Sequence, residues 1–425
     1  VAALAFAARI VVVGAVARTP VGLSDPALYA RFARSIADGQ GYSSLLGQPT
    51  SYYPPGYPLA LGALQWVLDQ IRLGDHLAAG AGLVQAVLGG IAAGATVVAG
   101  RHLGAVLPGG RNTARTVGLA AGMVLALWPN LATYSAALLS ESLFVTAAAV
   151  FVAAVLAAGD LHRPRPVVVA VGAVALAVAT LTRPQVVLVI PALCAAWLVA
   201  AVGWRRVGLA AAVLVGAVVL AVTPWTVRNA VVMGHPVVLS TNGGDNLCIG
   251  FHDGATGGFA LSDACATVDR YVDGPDAEVR RDAELRDRAL RWIREHPLAL
   301  PALSARKLAL TFGTDRDALR AVQSYEEDDR IPAGVERVLG AAFDVAWWVV
   351  VATAVAGVIR LLASDVRRRP GPQVVLWSAA AGAVVPVLFF GDPRFKMGLA
   401  PQVALLAGVG LWWALRSRPA RPGGP

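Results

Sequence analysis

The chain alternates long apolar stretches with short polar or basic ones. Apolar runs fall at 1–17, 78–100, 116–133, 143–158, 166–181, 185–203, 207–224, 336–359, 373–390 and 395–415. A helix rises 1.5 Å per residue, so a bilayer core of about 30 Å takes about 20 residues. Any one run would serve as the core helix of a soluble domain. Ten of them in 425 residues leave too little protein to bury them all, so lipid must cover them. The pattern predicts an all-α polytopic membrane protein with at least nine spans, about 10–12 membrane helices in all. The first run has no basic stretch ahead of it, contains Arg9 and is not followed by a clean Ala-x-Ala site, so it reads as a retained helix rather than a cleaved signal. Run 56–71 is short and follows Pro54-Pro55, which suits a re-entrant or surface-lying helix. Segment 298–311 carries Arg306 and Lys307 in an apolar setting and is expected at the interface.

Two polar stretches interrupt this pattern. One is a loop at 18–55. The other is a segment at 229–297, with an amphipathic helix expected near 277–294 whose apolar face is Ala283, Leu285, Ala289, Leu290 and Ile293. That face is a thin core for such a segment, which is therefore expected to fold against the membrane part. The chain reads as three parts: 1–228 with the loop 18–55, the polar segment 229–297, and 298–425.

Charge sets the orientation. The net charge is +9 with 15% charged residues, and the mean hydropathy is +0.61. The excess is not a nucleic-acid patch. Arg101, Arg111, Arg115, Arg163, Arg165, Arg205, Arg206, Arg360, Arg367, Arg368, Arg369 and Arg416 sit in or beside short connections, the positive-inside pattern. Acids gather elsewhere, eleven Asp or Glu against seven Arg over 229–300, and more at 315–329. One alternation of spans puts every basic cluster inside. It makes both termini cytoplasmic and sends 18–55, Glu141, Arg183, Arg228, the polar segment and Arg394 outside. Cys248 and Cys265 share that outer segment and can pair in an oxidising compartment. Cys194 lies in an apolar run as packing.

The outer side then collects a distinctive set: Asp25 and Tyr29, the Tyr52-Tyr53-Pro54-Pro55-Gly56-Tyr57-Pro58 stretch, Glu141, Arg183, Arg228 and Arg394. A carboxylate can take a proton from an acceptor hydroxyl. Arginines grip phosphate in bidentate fashion. Tyrosines stack on sugars or anchor at headgroup level. Each part has a plainer reading: a solvated loop acid, an arginine snorkelling to lipid, an aromatic belt. Asp25 in particular would serve as the cap of a helix beginning at Pro26. Glu141 stands out because it interrupts a long apolar stretch, where an acid is costly. There is no GxxxxGK, no HExxH and no dinucleotide fingerprint, and six histidines make a histidine-built metal site a poor expectation.

In this order the chain resembles the GT-C superfamily of membrane glycosyltransferases, the protein O-mannosyltransferases and lipid A aminoarabinose transferases of glycosyltransferase families 39 and 83. The resemblance rests on Asp25 with Tyr29, Gly39-x-Gly41-Tyr42, Tyr53 to Pro58, Leu139-Ser140-Glu141 and Leu181-Thr182-Arg183-Pro184. It continues through Thr223 to Asn229, Leu239 to Leu247, and Pro393-Arg394-Phe395. It implies transfer of a sugar from a polyprenyl-phosphate donor to an envelope acceptor (protein, lipid or glycan) on the extracytoplasmic face of the cell membrane, without a cofactor. Asp25 matches the first-loop acid, the general base, and Glu141 the second acidic position. Arg183, Arg228, Arg394, Tyr29, Tyr53, Tyr57 and Asn242, in the loop after Ser240, would hold the donor. Glu141 has no Asp-x-Asp around it, so no metal is expected. A transporter or flippase for a lipid-linked precursor shares the spans and the phosphate chemistry. It would call for mid-membrane charges beyond Arg9 and Asp344, and for repeats, which this chain does not have.

Overall fold

The computed structural model describes residues 1–260, 262–266, 274–328 and 330–416. Among these it is helical throughout, with isolated bridges and no sheet. All ten apolar runs fall on helices. Six helices are long and apolar enough to cross a membrane: Gly74–Ala105, Glu141–Ala158, Trp204–Val232, Ala333–Leu362, Pro370–Leu388 and Pro393–Arg416. Ala2–Val16, Pro166–Thr182 and Pro184–Val199 are shorter apolar helices. The protein is an all-α polytopic membrane protein.

Run 116–133 does not stay one helix. Gly110–Leu127 stops at Trp128, and a new helix, Pro129–Tyr134, starts on Pro129. Proline has no N–H, clashes with the preceding turn and disfavours helical backbone in the residue before it, and here Trp128 is extended and the helix breaks. The carbonyls left open at its end are taken by a side chain: Arg9 donates to Ala126 O at 3.1 Å and Leu125 O at 3.4 Å. A buried cation at a helix C-terminus meets both the orphan carbonyls and the negative end of the dipole. That accounts for Arg9 inside the first helix. Run 207–224 extends the other way, through Pro224 to Val232, so Arg228 and Asn229 lie on the same helix as the span.

Glu141–Ala158 is the central helix, with 78% of its apolar window buried by protein, against 17% for Trp204–Val232 at the periphery. Val and Leu side chains on the outer face of the latter, such as Leu209, Leu220 and Val231, are left for lipid. Small residues bring the inner helices close. A methyl added to Gly100 would lie 2.8 Å from Gly118 Cα, where Leu77–Ala105 meets Gly110–Leu127. Gly357 and Gly410 allow the same approach between Ala333–Leu362 and Ala400–Arg416.

In the polar segment, Gly243–Gly250 packs against Gly274–Glu295, the expected amphipathic helix. Cys248 and Cys265 are joined in a disulfide, and Arg281 pairs with Asp245. Glu278 on that helix accepts from Thr50 Oγ1 at 2.6 Å and Ser51 N at 3.0 Å, which ties the segment to the 18–55 loop.

Candidate active site

Four side chains from four remote parts of the chain form one ionic cluster. Asp25 and Glu141 each occupy the first position of a helix, Asp25–Ala37 and Glu141–Ala158, where a carboxylate is favoured by the helix dipole. Asp25 is not spent as a cap, since that position belongs to Ser24. Its Oδ2 pairs with Arg394 Nη1 at 2.6 Å, and its Oδ1 accepts from the Tyr53 hydroxyl at 2.7 Å. Arg394 Nε donates to Glu141 Oε1 at 2.6 Å, and Arg183 Nη2 reaches the same oxygen at 2.6 Å. Arg183 Nε also donates to Ser140 Oγ at 3.2 Å. Arg394 thus stands between the two acids, and Glu141 gathers both arginines.

The local sequence explains how the arginines arrive. Pro184 forces the residue before it out of helical geometry, so Arg183 ends Pro166–Thr182 with extended backbone at φ −147°. Asp392 caps the turn that follows it by accepting from Arg394 N at 2.8 Å, with Pro393 between.

Glu141 is fully buried, whereas the Asp25 side chain is 31% exposed and those of Arg394 and Arg183 are 16% and 11%. Asp25 therefore faces the open side and Glu141 forms the floor. Arg394 uses Nε and Nη1, and Arg183 uses Nε and Nη2. Among the described contacts this leaves Nη2 of Arg394 and Nη1 of Arg183 for a ligand. Burial pushes the Asp25 carboxyl up. The charge and hydrogen bond of Arg394, the Tyr53 hydroxyl and Arg183 outweigh it and leave the group below the usual carboxylate range.

The other expected residues lie differently. Tyr29 is buried, with ring centroids 5.0 Å from Tyr53 and 5.1 Å from Tyr57. Tyr57 is buried too and bonds Gln85 Oε1 at 3.2 Å. Their faces pack on protein, so they support Tyr53 and offer no platform to a sugar. Arg228 is not in the cluster. It donates to Thr50 O and Tyr42 O, both at 2.9 Å, and lies over the Trp225 ring at 4.9 Å, pinning the 18–55 loop. Asn242 precedes Gly243–Gly250 and accepts from Ser240 Oγ at 2.9 Å.

The structure also brings in residues that charge pattern alone did not single out. Asp317 accepts from Tyr134 at 2.9 Å and from Tyr325 at 3.4 Å. Burial, reinforced by the neighbouring Asp392 charge, pushes its carboxyl up to about 7. Beside it, Asp315 and Lys396 form a fully buried ion pair at 3.1 Å, and Asn130 donates to Asp315 at 3.0 Å. This pair fixes the turn that carries Arg394. The sequence signal was present as acids at 315 and 317 next to an apolar helix, but it merged with the acidic run that follows.

A divalent cation does not fit between Asp25 and Glu141, because the Arg394 guanidinium occupies that place. Among the described residues no group of three or more His, Cys, Asp or Glu could hold a metal.

No family model and no curated protein matches the chain. Solved structures do. The oligosaccharyltransferase AglB of Archaeoglobus fulgidus, in complex with an inhibitory peptide and a dolichol-phosphate, aligns over 99% of this chain and 52% of its own, at 15% identity and a TM-score of 0.51. An Archaeoglobus fulgidus oligosaccharyltransferase in the apo form aligns over 97% of this chain and 51% of its own, at 15% identity and a TM-score of 0.50. The described residues thus share the fold of this oligosaccharyltransferase. The chain spans about half the length of that oligosaccharyltransferase. ArnT of Cupriavidus metallidurans bound to undecaprenyl phosphate also aligns, at 18% identity over 97% and 77%, but its TM-score of 0.42 carries no weight. The fold is thus shared with a protein solved in complex with a dolichol-phosphate.

Proposed function

We propose that this protein is a glycosyltransferase that moves a sugar from a polyprenyl-phosphate donor to an envelope acceptor. One observation carries the reading: an acid on the open side, next to two buried-edge arginines that each keep a free donor, at the end of a membrane bundle. The Asp25 carboxylate takes the proton of the acceptor hydroxyl. The acceptor oxygen bonds to the anomeric carbon as the bond from that carbon to the phosphate oxygen breaks, with inversion. The electron pair leaves on the phosphate, whose charge Arg183 and Arg394 meet. Glu141 acts through the two arginines rather than on the substrate. A carboxylate held low by Arg394 is a weak base, so the order of binding matters. Donor phosphate competes for the Arg394 guanidinium, and as that contact shifts the Asp25 carboxylate becomes the stronger base.

Helix direction supports a site on the extracytoplasmic side with both termini in the cytoplasm. Glu141–Ala158 and Pro393–Arg416 both begin at the cluster and run to basic ends, at Arg163 and Arg416, and Arg416 bonds Pro108 O in the basic 101–115 connection at 3.1 Å. A donor with an isoprenoid tail stays in the bilayer, at about 0.8 kcal/mol per buried CH₂, so chemistry belongs at this boundary. The test is incubation of purified protein with defined polyprenyl-phosphate sugars and an envelope extract. Sugar transfer supports the reading. Movement of the lipid across a vesicle membrane with no transfer sinks it in favour of a flippase.

A further inference from the structure

Among the described residues, the turn after Asp317–Ala321 holds the longest run of left-handed non-glycine backbone. Ser324, Tyr325 and Glu326 have φ of 51°, 57° and 78°, three successive non-glycine residues in the left-handed region. Single residues visit that region at a cost, and three in a row persist only where the surroundings impose them. Here they do. Ser324 Oγ accepts from Val21 N at 3.1 Å, Gln323 Oε1 accepts from Ile331 N at 3.1 Å, and Tyr325 N donates to Arg320 O at 2.8 Å. The turn is docked against the chain just ahead of Asp25.

The strain places one side chain. Tyr325 is half-buried, unlike the fully enclosed Tyr134 that shares Asp317 with it. Its hydroxyl is only loosely engaged, at 3.4 Å from an oxygen that Tyr134 already holds at 2.9 Å. Burial raises the phenol, so the proton stays on. The acid it touches, Asp317, lies two residues from Asp315, whose partner Lys396 lies two residues from Arg394, and the turn itself is held by Val21, four residues ahead of Asp25.

Resting on the transferase reading above, we propose that the Tyr325 hydroxyl is a third donor to the leaving phosphate, completing a cradle with Arg183 and Arg394. On donor binding the hydroxyl exchanges its long contact with Asp317 for a phosphate oxygen. A neutral donor adds to the cradle without bringing a further charge into a site that already holds two arginines.

The experiment compares wild type, Tyr325→Phe and Asp317→Asn in detergent, titrated with undecaprenyl phosphate and with undecaprenol, which lacks the phosphate. The expected result is that Tyr325→Phe weakens undecaprenyl phosphate by about ten-fold or more, the worth of one hydrogen bond to a charged group. Undecaprenol affinity and the thermal midpoint should stay at wild-type values, and Asp317→Asn should leave phosphate affinity within a few-fold. Equal phosphate affinity in Tyr325→Phe overturns the proposal. So does a parallel loss for undecaprenol, which marks a packing role, or an equal loss in Asp317→Asn, which marks an effect routed through that acid. Wild type binding both lipids alike removes the transferase reading itself, and this proposal with it. That outcome is recognisable because it appears before any variant is compared.

Discussion

Asp25→Asn separates a base from a structural acid. Asparagine keeps the shape and its one oxygen can still accept from Arg394 or from Tyr53, but its NH2 then faces the other donor and the amide cannot take a proton. Turnover should fall by about 10²–10⁴-fold, the usual share of general-base help. A solvated loop acid would cost stability within about 0.5 kcal/mol when replaced. The structure raises that expectation, because Asp25 is 31% exposed and paired at 2.6 Å with an arginine that is 16% exposed. Between the weak worth of exposed pairs and the larger cost of breaking buried ones, a loss of about 1–3 kcal/mol is expected. The sign with pH follows from the depressed carboxyl. Its contribution is present above the unfolded value near 3.9 and is lost as pH falls through the lower folded value, so wild type and variant converge in stability in acid. The assay is initial-rate transfer at saturating donor, with detergent-solubilised protein matched for amount and thermal midpoint. Turnover within threefold of wild type would refute the base assignment, whatever the stability result.

Arg394→Ala should abolish detectable transfer and weaken polyprenyl-phosphate binding at least ten-fold, since it removes a phosphate donor and frees Asp25 and Glu141 to repel each other. Arg228→Ala should leave phosphate affinity within about two-fold while lowering the thermal midpoint, because it releases two loop carbonyls rather than a ligand; titration of both variants with the same lipid decides. Asp317, held near 7 against about 3.9 unfolded, binds its proton more tightly when folded, so it makes stability decline as pH rises from about 4 to about 7. Asp317→Asn should flatten that part of the pH–midpoint curve, and an unchanged slope would remove the assignment. Chelation with EDTA should leave transfer unchanged, given the guanidinium between the acids; loss restored by a divalent cation would contradict it.

Hydrophobic run length alone put all ten apolar runs on helices, six of them long and apolar enough to cross a membrane, because backbone groups in lipid must bond within their own segment. Local chemistry was legible too. Thr182-Arg183-Pro184 announces an arginine turned out of a helix end, and Asp392-Pro393-Arg394 announces a capped turn, since both depend only on neighbours. What the sequence could not say is which charges meet. Arg394 lies 369 residues from Asp25 and 253 from Glu141, and the separation of Arg228 from them is equally a matter of packing. Arg183, Arg228 and Arg394 look alike as outer arginines at helix ends. Helix packing sends two of them to Glu141 and the third to the carbonyls of Thr50 and Tyr42. The same holds for the tyrosines, where burial turns Tyr29 and Tyr57 into support and leaves Tyr53 on the acid. Asp317 was legible only as one acid of a run and Tyr325 had no signal of its own, because such residues acquire a function only from what the folded chain brings against them.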